Sequence, residues 1–432
     1  MIYRQPDDYT ELIKKHFPVS DYHLDLEVIK HPPPEYIKDF FEKLANHENY
    51  NQLKDNFLYD EKLNVFIHVH NKFPHTELSG LTEEQTFFYP FMDKKEIKQI
   101  FEIKSASDFL LRLRAEQVEN DMRLRRTFSK LKKKIGKKWS FTNYFDSKQY
   151  KEYLNNLKQN RKEICQDIPH GTIHFNEANG MCLKTPFGNI IVLSYGLRHF
   201  LFYMNVFFFG KNLGVKEIDI THSFLLAIRI MIGTESLDFE IDSRGRLPKS
   251  IRRQIDFLTD WQMRFIIGHE YAHHYLGHLD KRLVLKSHDR VKYGGNKVQY
   301  YTYEQKNEFE ADLHSVIEST YPDVDKSELI NGAFMVFIFF SMYDKVVNYM
   351  FPGRVNSSHP EPLDRLTTLR ATVDSNTGLK TNQLNAIIAS TERTMDEFLK
   401  EYLPFNVDKI EMEGSIYLPS YRKKILIDRL DI

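Results

Sequence analysis

Residues 261–267 contain neither proline nor glycine and run straight into Gly268-His269-Glu270-Tyr271-Ala272-His273-His274-Tyr275-Leu276-Gly277-His278. The run predicts a helix that begins near Thr259 or Asp260, with Asp260 as its N-cap, and stops at Gly277. Phe265, Ile266 and Ile267, just ahead of the first histidine, make it a buried helix. Positions four apart share a helical face, so His269 and His273 project together from a buried surface. Two imidazoles and a carboxylate are costly to bury without partners. Whatever fold the chain adopts must bring partners to this one face.

A metal ion is such a partner. Zinc binds imidazole nitrogens at about 2.0–2.1 Å, within reach of an i, i+4 pair on a helix. Glu270 sits one position round the helix, beside the metal rather than on it, placed to take a proton from the metal's water. A catalytic zinc needs a third protein ligand and an open position. The metzincin pattern would put a histidine at position 279, which is Leu279, and the spacing of His278 does not fit that class. Cys165 and Cys182 are the chain's 2 cysteines. A four-cysteine site is therefore excluded, a disulfide scaffold is excluded, and any metal must use His, Asp or Glu.

The candidate segment is Asn307-Glu308-Phe309-Glu310-Ala311-Asp312. Glu308 and Asp312 share a face, which suits Glu308 as the third ligand and Asp312 as the residue orienting a ligand histidine. Glu310 points about 200° away on a helix and is expected to be solvated or salt-bridged. His278 and His314 are the next candidates should the ligand lie outside this segment. A third cluster, Ser357-Ser358-His359-Pro360-Glu361-Pro362-Leu363-Asp364-Arg365-Leu366, puts a proline where a helix begins and by itself reads as structural.

Taken in order, the three clusters resemble the gluzincin peptidases of the HtpX and CAAX prenyl-protease type. The resemblance rests on His269, Glu270 and His273, then Glu308 and Asp312, then His359 and Arg365, and covers residues 258–370. It implies a zincin-like domain with Glu308 as the third zinc ligand. It also implies that His359 hydrogen-bonds the tetrahedral intermediate and that Arg365 belongs to the charge network of the site. Those relatives are largely membrane-embedded or secreted, whereas this chain shows no convincing membrane span. The wording HEYAHHYLGH is also similar to soluble bacterial peptidases of the phage-exclusion Lit type. Residues 1–160 and 376–432 match neither.

The rest of the chain reads as a globular α+β protein. It has 432 residues, 41% hydrophobic and 28% charged, enough for two or three domains. Residues 1–165 are expected to form an N-terminal α+β region. It would hold helices over 36–53, 97–135 and 147–164 and a period-two strand over 63–70. Residues 166–375 are expected to form the mainly helical zincin-like metallopeptidase domain, with short strands over 171–175 and 188–194. The segment 188–194 is a candidate edge strand for pairing with an extended substrate. Residues 243–248 read as a loop before a long helix, and 283–302, with Gly294-Gly295, as an irregular insertion. Residues 376–432 form a C-terminal extension with a helix and a short strand.

Lys plus Arg and Asp plus Glu number 60 each, which gives no global pull towards nucleic acid or an anionic membrane. Six lysines within 128–139, with Arg123, Arg125 and Arg126 upstream, can touch an acidic partner, but a solvated helix face accounts for them. His68 and His70 share a strand face, yet no third ligand is evident in the sequence. The apolar stretches 190–209 and 333–343 read as core segments rather than membrane spans. The first eight residues lack the features of a signal peptide, so a cytoplasmic location is expected. The expected activity is that of a zinc metallopeptidase, an endopeptidase acting on an intracellular protein or peptide. The rival is a non-catalytic zinc-containing regulatory or binding protein, nucleic-acid-associated through 123–138. Glu270 argues against it, because a structural site needs no base.

Overall fold

The computed structural model describes residues 9–47, 49–145, 147–174, 179–278, 285–293, 296–301, 305–352, 359–412 and 414–421. Residues 1–8, Asn176, Leu279, Gly294-Gly295 and Ser357-Ser358, for which the sequence raised expectations, lie outside them. The chain is α+β, mainly helical, with two small sheets.

The first sheet has the order β1-β3-β2, all antiparallel: β1 is Tyr22–Lys30, β2 Phe57–Asp60 and β3 Val65–Pro74. β3 buries apolar side chains on both faces. Phe66 packs with Phe57, Ile37, Phe40 and Leu44, the last three from α2 (Pro34–Ala45). Val65, Ile67 and Val69 face Phe17 and the helix α1 (Tyr9–His16).

The single helix expected over 97–135 is three: α3 (Lys94–Phe101), α4 (Ala106–Asn120) and α5 (Met122–Ile135). The breaks have a local cause. Ser105 caps α4 through the Asp108 amide, and Asp121 caps α5 through the amides of Arg123 and Leu124. A capping side chain competes with helix continuation. The basic stretch is not a uniformly solvated face either. Arg125 and Arg126 are buried, Arg125 on Asp25 at 2.8 Å, and Lys132 donates to the carbonyls of Tyr89 and Met92.

The second sheet runs β4-β6-β5-β8-β7, with β4 (His170–Ile173) parallel to β6 (Gly188–Ser194) and the other pairs antiparallel. The strand β5 (Gly180–Thr185) was not expected: it lies between the two expected strands, where Asn179-Gly180 and Pro186 are turn-forming residues that bound it rather than replace it. The insertion expected to be irregular forms the hairpin β7 (Leu285–Tyr293) and β8 (Asn296–Tyr301). Alternate residues of β6 face two layers. Ile190 and Val192 meet Phe109, Leu110 and Leu113 of α4, while Ile191 and Leu193 join the main core.

That core is built by α6 (Lys148–Asn155), α7 (Gln159–Cys165), α8 (Tyr195–Phe209), α9 (Glu217–Ile232) and α10 (Lys249–Tyr275). With them pack α11 (Gln305–Ile317), α12 (Asp323–Met350), α13 (Pro362–Thr372) and α14 (Thr381–Glu397). The helix α10 starts eleven residues before the expected Asp260 N-cap. Ile251, Ile255 and Thr259 are buried at helical spacing, and Asp260 lies mid-helix, accepting from Arg198 at 2.7 Å and Gln149 at 2.6 Å. Gly277, at φ +69°, closes the turn after the helix as expected. The apolar run 333–343 lies inside α12, which by length and composition could cross a membrane; 67% of its most apolar window is buried in this molecule.

The expected cuts near 165 and 375 do not fall at gaps in packing. One hydrophobic cluster includes Tyr153 and Leu154 before the first, and Leu384, Met395, Leu403 and Leu418 after the second. A buried ion network fastens the C-terminal segment. Arg229 donates to Glu235 at 2.8 Å and to the carbonyls of Lys409 and Met412, and Arg244 meets Glu235, Asp238 and Asp242. Beyond the bridge Glu235–Gly414, the described part of 376–421 holds no strand. Removing one partner of a buried ion pair leaves uncompensated charge and costs about 3–5 kcal/mol. Arg244→Ala should therefore lower unfolding free energy by about that amount, read from chemical denaturation. A loss below about 1 kcal/mol would show that water reaches the three carboxylates.

Candidate metal centre

The buried face of α10 does what its spacing requires. His269 and His273 point their Nε2 atoms at one place, 2.9 Å apart. The helix α11 brings Glu308 against them, with carboxylate oxygens 3.5 Å from His269 Nε2 and 3.4 Å from His273 Nε2. One donor atom from each of the three lies within 4.8 Å of the others. A tetrahedral ion with bonds of about 2.0–2.1 Å holds its ligands about 3.4 Å apart. The two imidazole–carboxylate separations are close to the edges of such a site, and the two imidazole nitrogens, at 2.9 Å, stand closer than an edge. His273 and Glu308 are fully buried, and His269 nearly so. Glu308 Oε1 and Glu270 Oε2 are buried without a hydrogen-bond partner among the described residues. A dry cluster of two imidazoles and a carboxylate with a spare acceptor fits a divalent transition ion.

Each donor is held from behind. Asp312, one turn after Glu308, meets His269 Nδ1 at 2.9 Å. Arg365 grips Asp312 with two donors, Nε at 2.8 Å and Nη2 at 2.6 Å, and its Nη1 lies 3.4 Å from Glu308. His359 Nδ1 lies 2.9 Å from Glu308 Oε2, with the ring half exposed at the rim. The geometry thus brings together all seven residues singled out in the sequence: His269, Glu270, His273, Glu308, Asp312, His359 and Arg365.

Glu310 is partly exposed and salt-bridged, as expected, but its partner His278 has a place the sequence did not reveal. His278, weighed only as a substitute ligand, is buried with Nδ1 2.9 Å from His273 Nδ1. Its Nε2 lies 3.2 Å from Glu310, which also pairs with Lys306. His278 and Glu310 therefore prop the second histidine as Asp312 and Arg365 prop the first. The signal was available: Gly277 turns the chain back, so a histidine just after it faces the helix it has left. His314 lies apart, near Glu318.

The electrostatics follow from burial. Burial opposes a charge on His269, but hydrogen bonds to Asp312 and Glu308 outweigh it and raise its pKa to about 10. Burial and the charge on His269 push His273 down to about 3. Burial would raise Glu308, yet contacts from His269, His273, His359 and Arg365 hold it well below the usual carboxylate range. Glu270 lacks such contacts, and burial lifts it to about 7. These groups favour positive charge at the point where the three donors converge.

β5 passes directly over Glu270. A Cβ on Gly180 would lie 2.6 Å from Glu270 Oε1 and 2.7 Å from Leu193 Cδ2, so any larger residue there would displace those side chains. The segment Gly188–Ser194 is not an edge strand: it is paired with β4 on one side and β5 on the other. The expectation that it receives a substrate strand is withdrawn. Cys165 and Cys182 are buried free thiols; burial pushes Cys165 up to about 12 and Cys182 well above its usual value, as expected of inert thiols.

Losing a residue that orients a ligand typically costs 10–100-fold in metal affinity. Asp312→Asn should weaken zinc binding by about that factor, measured by competition with a chelating dye. Glu308→Ala should remove most bound zinc, because two histidines alone hold it poorly. Glu310→Ala, acting only through His278, should have the smaller effect. A larger loss from Glu310→Ala than from Glu308→Ala would reverse the assignment. Comparison with models of protein families, with curated proteins and with solved structures gives no match, so the geometry alone carries the functional argument.

Proposed function

We propose that this chain is a zinc-dependent peptidase with a zincin-like catalytic core, cleaving peptide bonds within an intracellular protein. The observation that carries the reading is Glu270. It is a buried carboxylate, one oxygen of which has no partner among the described residues, on the same helix turn as two convergent imidazoles. A purely structural metal site has no use for such a group.

His269, His273 and Glu308 would hold the ion, which when bound would polarise the scissile carbonyl and acidify a water molecule. Glu270 then acts as general base and hands the same proton to the leaving amine. Its burial suits this, because a base with a pKa near 7 both accepts and returns a proton at neutral pH. His359, at the rim and within hydrogen-bond reach of Glu308, is placed to donate to the oxyanion. Arg365 is a positioning residue, acting through Asp312 and Glu308. A cytoplasmic, reducing setting accords with two buried thiols left unpaired. The partial use of the basic stretch in internal contacts weakens the nucleic-acid alternative.

Glu270→Gln separates this reading from a non-catalytic zinc protein. The variant should keep its fold and its zinc, because the residue is not a ligand. It should lose hydrolysis by orders of magnitude, read by mapping new protein termini in a cell extract treated with each form. Indistinguishable maps from the two forms would leave only a binding or structural role.

A further inference from the structure

The first sheet carries a second convergence of metal-binding side chains, with no residue in common with the centre on α10 and α11. His68 and His70 are two apart on β3 and so share a face. The sequence offered no third donor because that donor comes from another strand. Glu27 of β1 stands directly opposite His68 in the ladder. The register slips at Asp25/Leu26, where Asp25 pairs with Asn71 but Leu26 pairs with Val69. His70 is therefore the extra residue of a bulge, a feature that re-aims a side chain. It brings His70 Nε2 to 3.3 Å from Glu27 Oε2, again close to the edge of a tetrahedral site, which is about 3.4 Å.

One donor atom from each of Glu27, His68 and His70 lies within 4.8 Å of the others. The two imidazole centroids are 3.8 Å apart, and Phe57 stacks on His68 at 4.2 Å, fixing that ring. The side chains of His70 and Glu27 are 6% and 17% exposed, so the cluster is nearly dry yet reachable from one side. An apolar wall strengthens ion binding by excluding competing water. The nearby cations are largely engaged. Arg125 is held by Asp25 and Glu119, and Lys133 reaches the His70 carbonyl at 3.4 Å. Arg126 stands 4.0 Å from Glu27 and is the group that competes with an ion for this carboxylate.

We propose that Glu27, His68 and His70 form a second metal site, for a divalent transition ion of the zinc class, which clasps β1 to β3. Two imidazole nitrogens and one carboxylate oxygen suit zinc and its neighbours rather than calcium or magnesium, which prefer oxygen alone. The role is structural. Unlike Glu270 beside the cluster on α10, Asp25, the neighbouring carboxylate on β1, is committed to Arg125 and Asn71 and is not available as a base.

The test uses the full chain and zinc alone. Elemental analysis should show that His70→Asn and Glu27→Gln each carry about one ion per chain less than the unmutated protein. Zinc should also raise the melting temperature of the Glu308→Ala variant, whose α10 centre is disabled, and should fail to do so once His70→Asn is added. Crystals of the unmutated chain grown with zinc decide the case without any variant, through anomalous scattering at the zinc edge. A peak among Glu27, His68 and His70 establishes the site whether or not the α10 centre is filled. Equal zinc content in all forms, or an anomalous map with no peak on the first sheet, overturns it.

Discussion

A carboxylate with no exposed surface, Glu308, is the point on which the centre of this molecule depends. Left alone in an apolar core it would be neutral or absent. Here it is kept ionised by four groups from three separate elements: His269 and His273 on α10, His359 ahead of α13 and Arg365 within α13. Each of those groups is itself costly to bury. The arrangement holds only if α10, α11 and α13 meet at one place, and their packing is correspondingly dense. Tyr271 and Ala272, between the two histidines, are fully buried, as is Ala311 between Glu308 and Asp312. Small and flat residues at these positions let the polar face close.

The same economy governs the second sheet. β6 is sandwiched, one face on α4 and the other on the helical core, so its residues are apolar without a break from Ile190 to Leu193. β5, beside it, crosses the site, and a side chain at Gly180 would press on Glu270 and Leu193. The sheet thus bounds Glu270 from one side while α10 holds it from the other. Glu270 is buried and its Oε2 has no hydrogen-bond partner among the described residues, so burial dominates its behaviour.

The site was legible in the sequence to a degree that the fold was not. His269 with His273, and Glu308 with Asp312, are i, i+4 pairs, and helical geometry forces such pairs to share a face whatever surrounds them. Long-range partners left weaker marks. His278 looked like a spare ligand and Glu310's salt-bridge partner could not be named, because their meeting depends on the turn at Gly277 and on how α11 crosses α10. Glu27 was invisible as a partner of His68 and His70, because strand pairing is not written locally. Among the elements, the start of α10 was misplaced because charged residues between Ile251 and Thr259 masked a buried period. β5 was missed because the turn signals on its flanks outweighed six residues of modest strand character. The expected cuts at 165 and 375 followed changes in local pattern, whereas the core is assembled from both sides of each.

The charge balance of the α10 centre explains why its supporting cation is an arginine. Glu270, Glu308 and Asp312 would carry three negative charges when ionised. Arg365 supplies one positive charge, and the two imidazoles supply none when both donate through Nε2. Two charges remain uncompensated, the amount that a divalent ion would cancel. Without an ion, the burden falls on His269, which burial would keep neutral but which hydrogen bonds to Asp312 and Glu308 draw up to about 10, out of its ligand-ready state. A lysine at position 365 could match the charge but not the geometry. The guanidinium reaches Asp312 with two donors and turns a third towards Glu308, spanning both carboxylates in one plane. An ammonium is a point charge and would have to choose between them. If it chose Asp312, Glu308 would lose a contact that keeps it ionised; if it chose Glu308, Asp312 would be free to turn from His269 and the ring would lose its orientation. Only a forked, planar cation holds the ligand and the residue behind the other ligand at the same time.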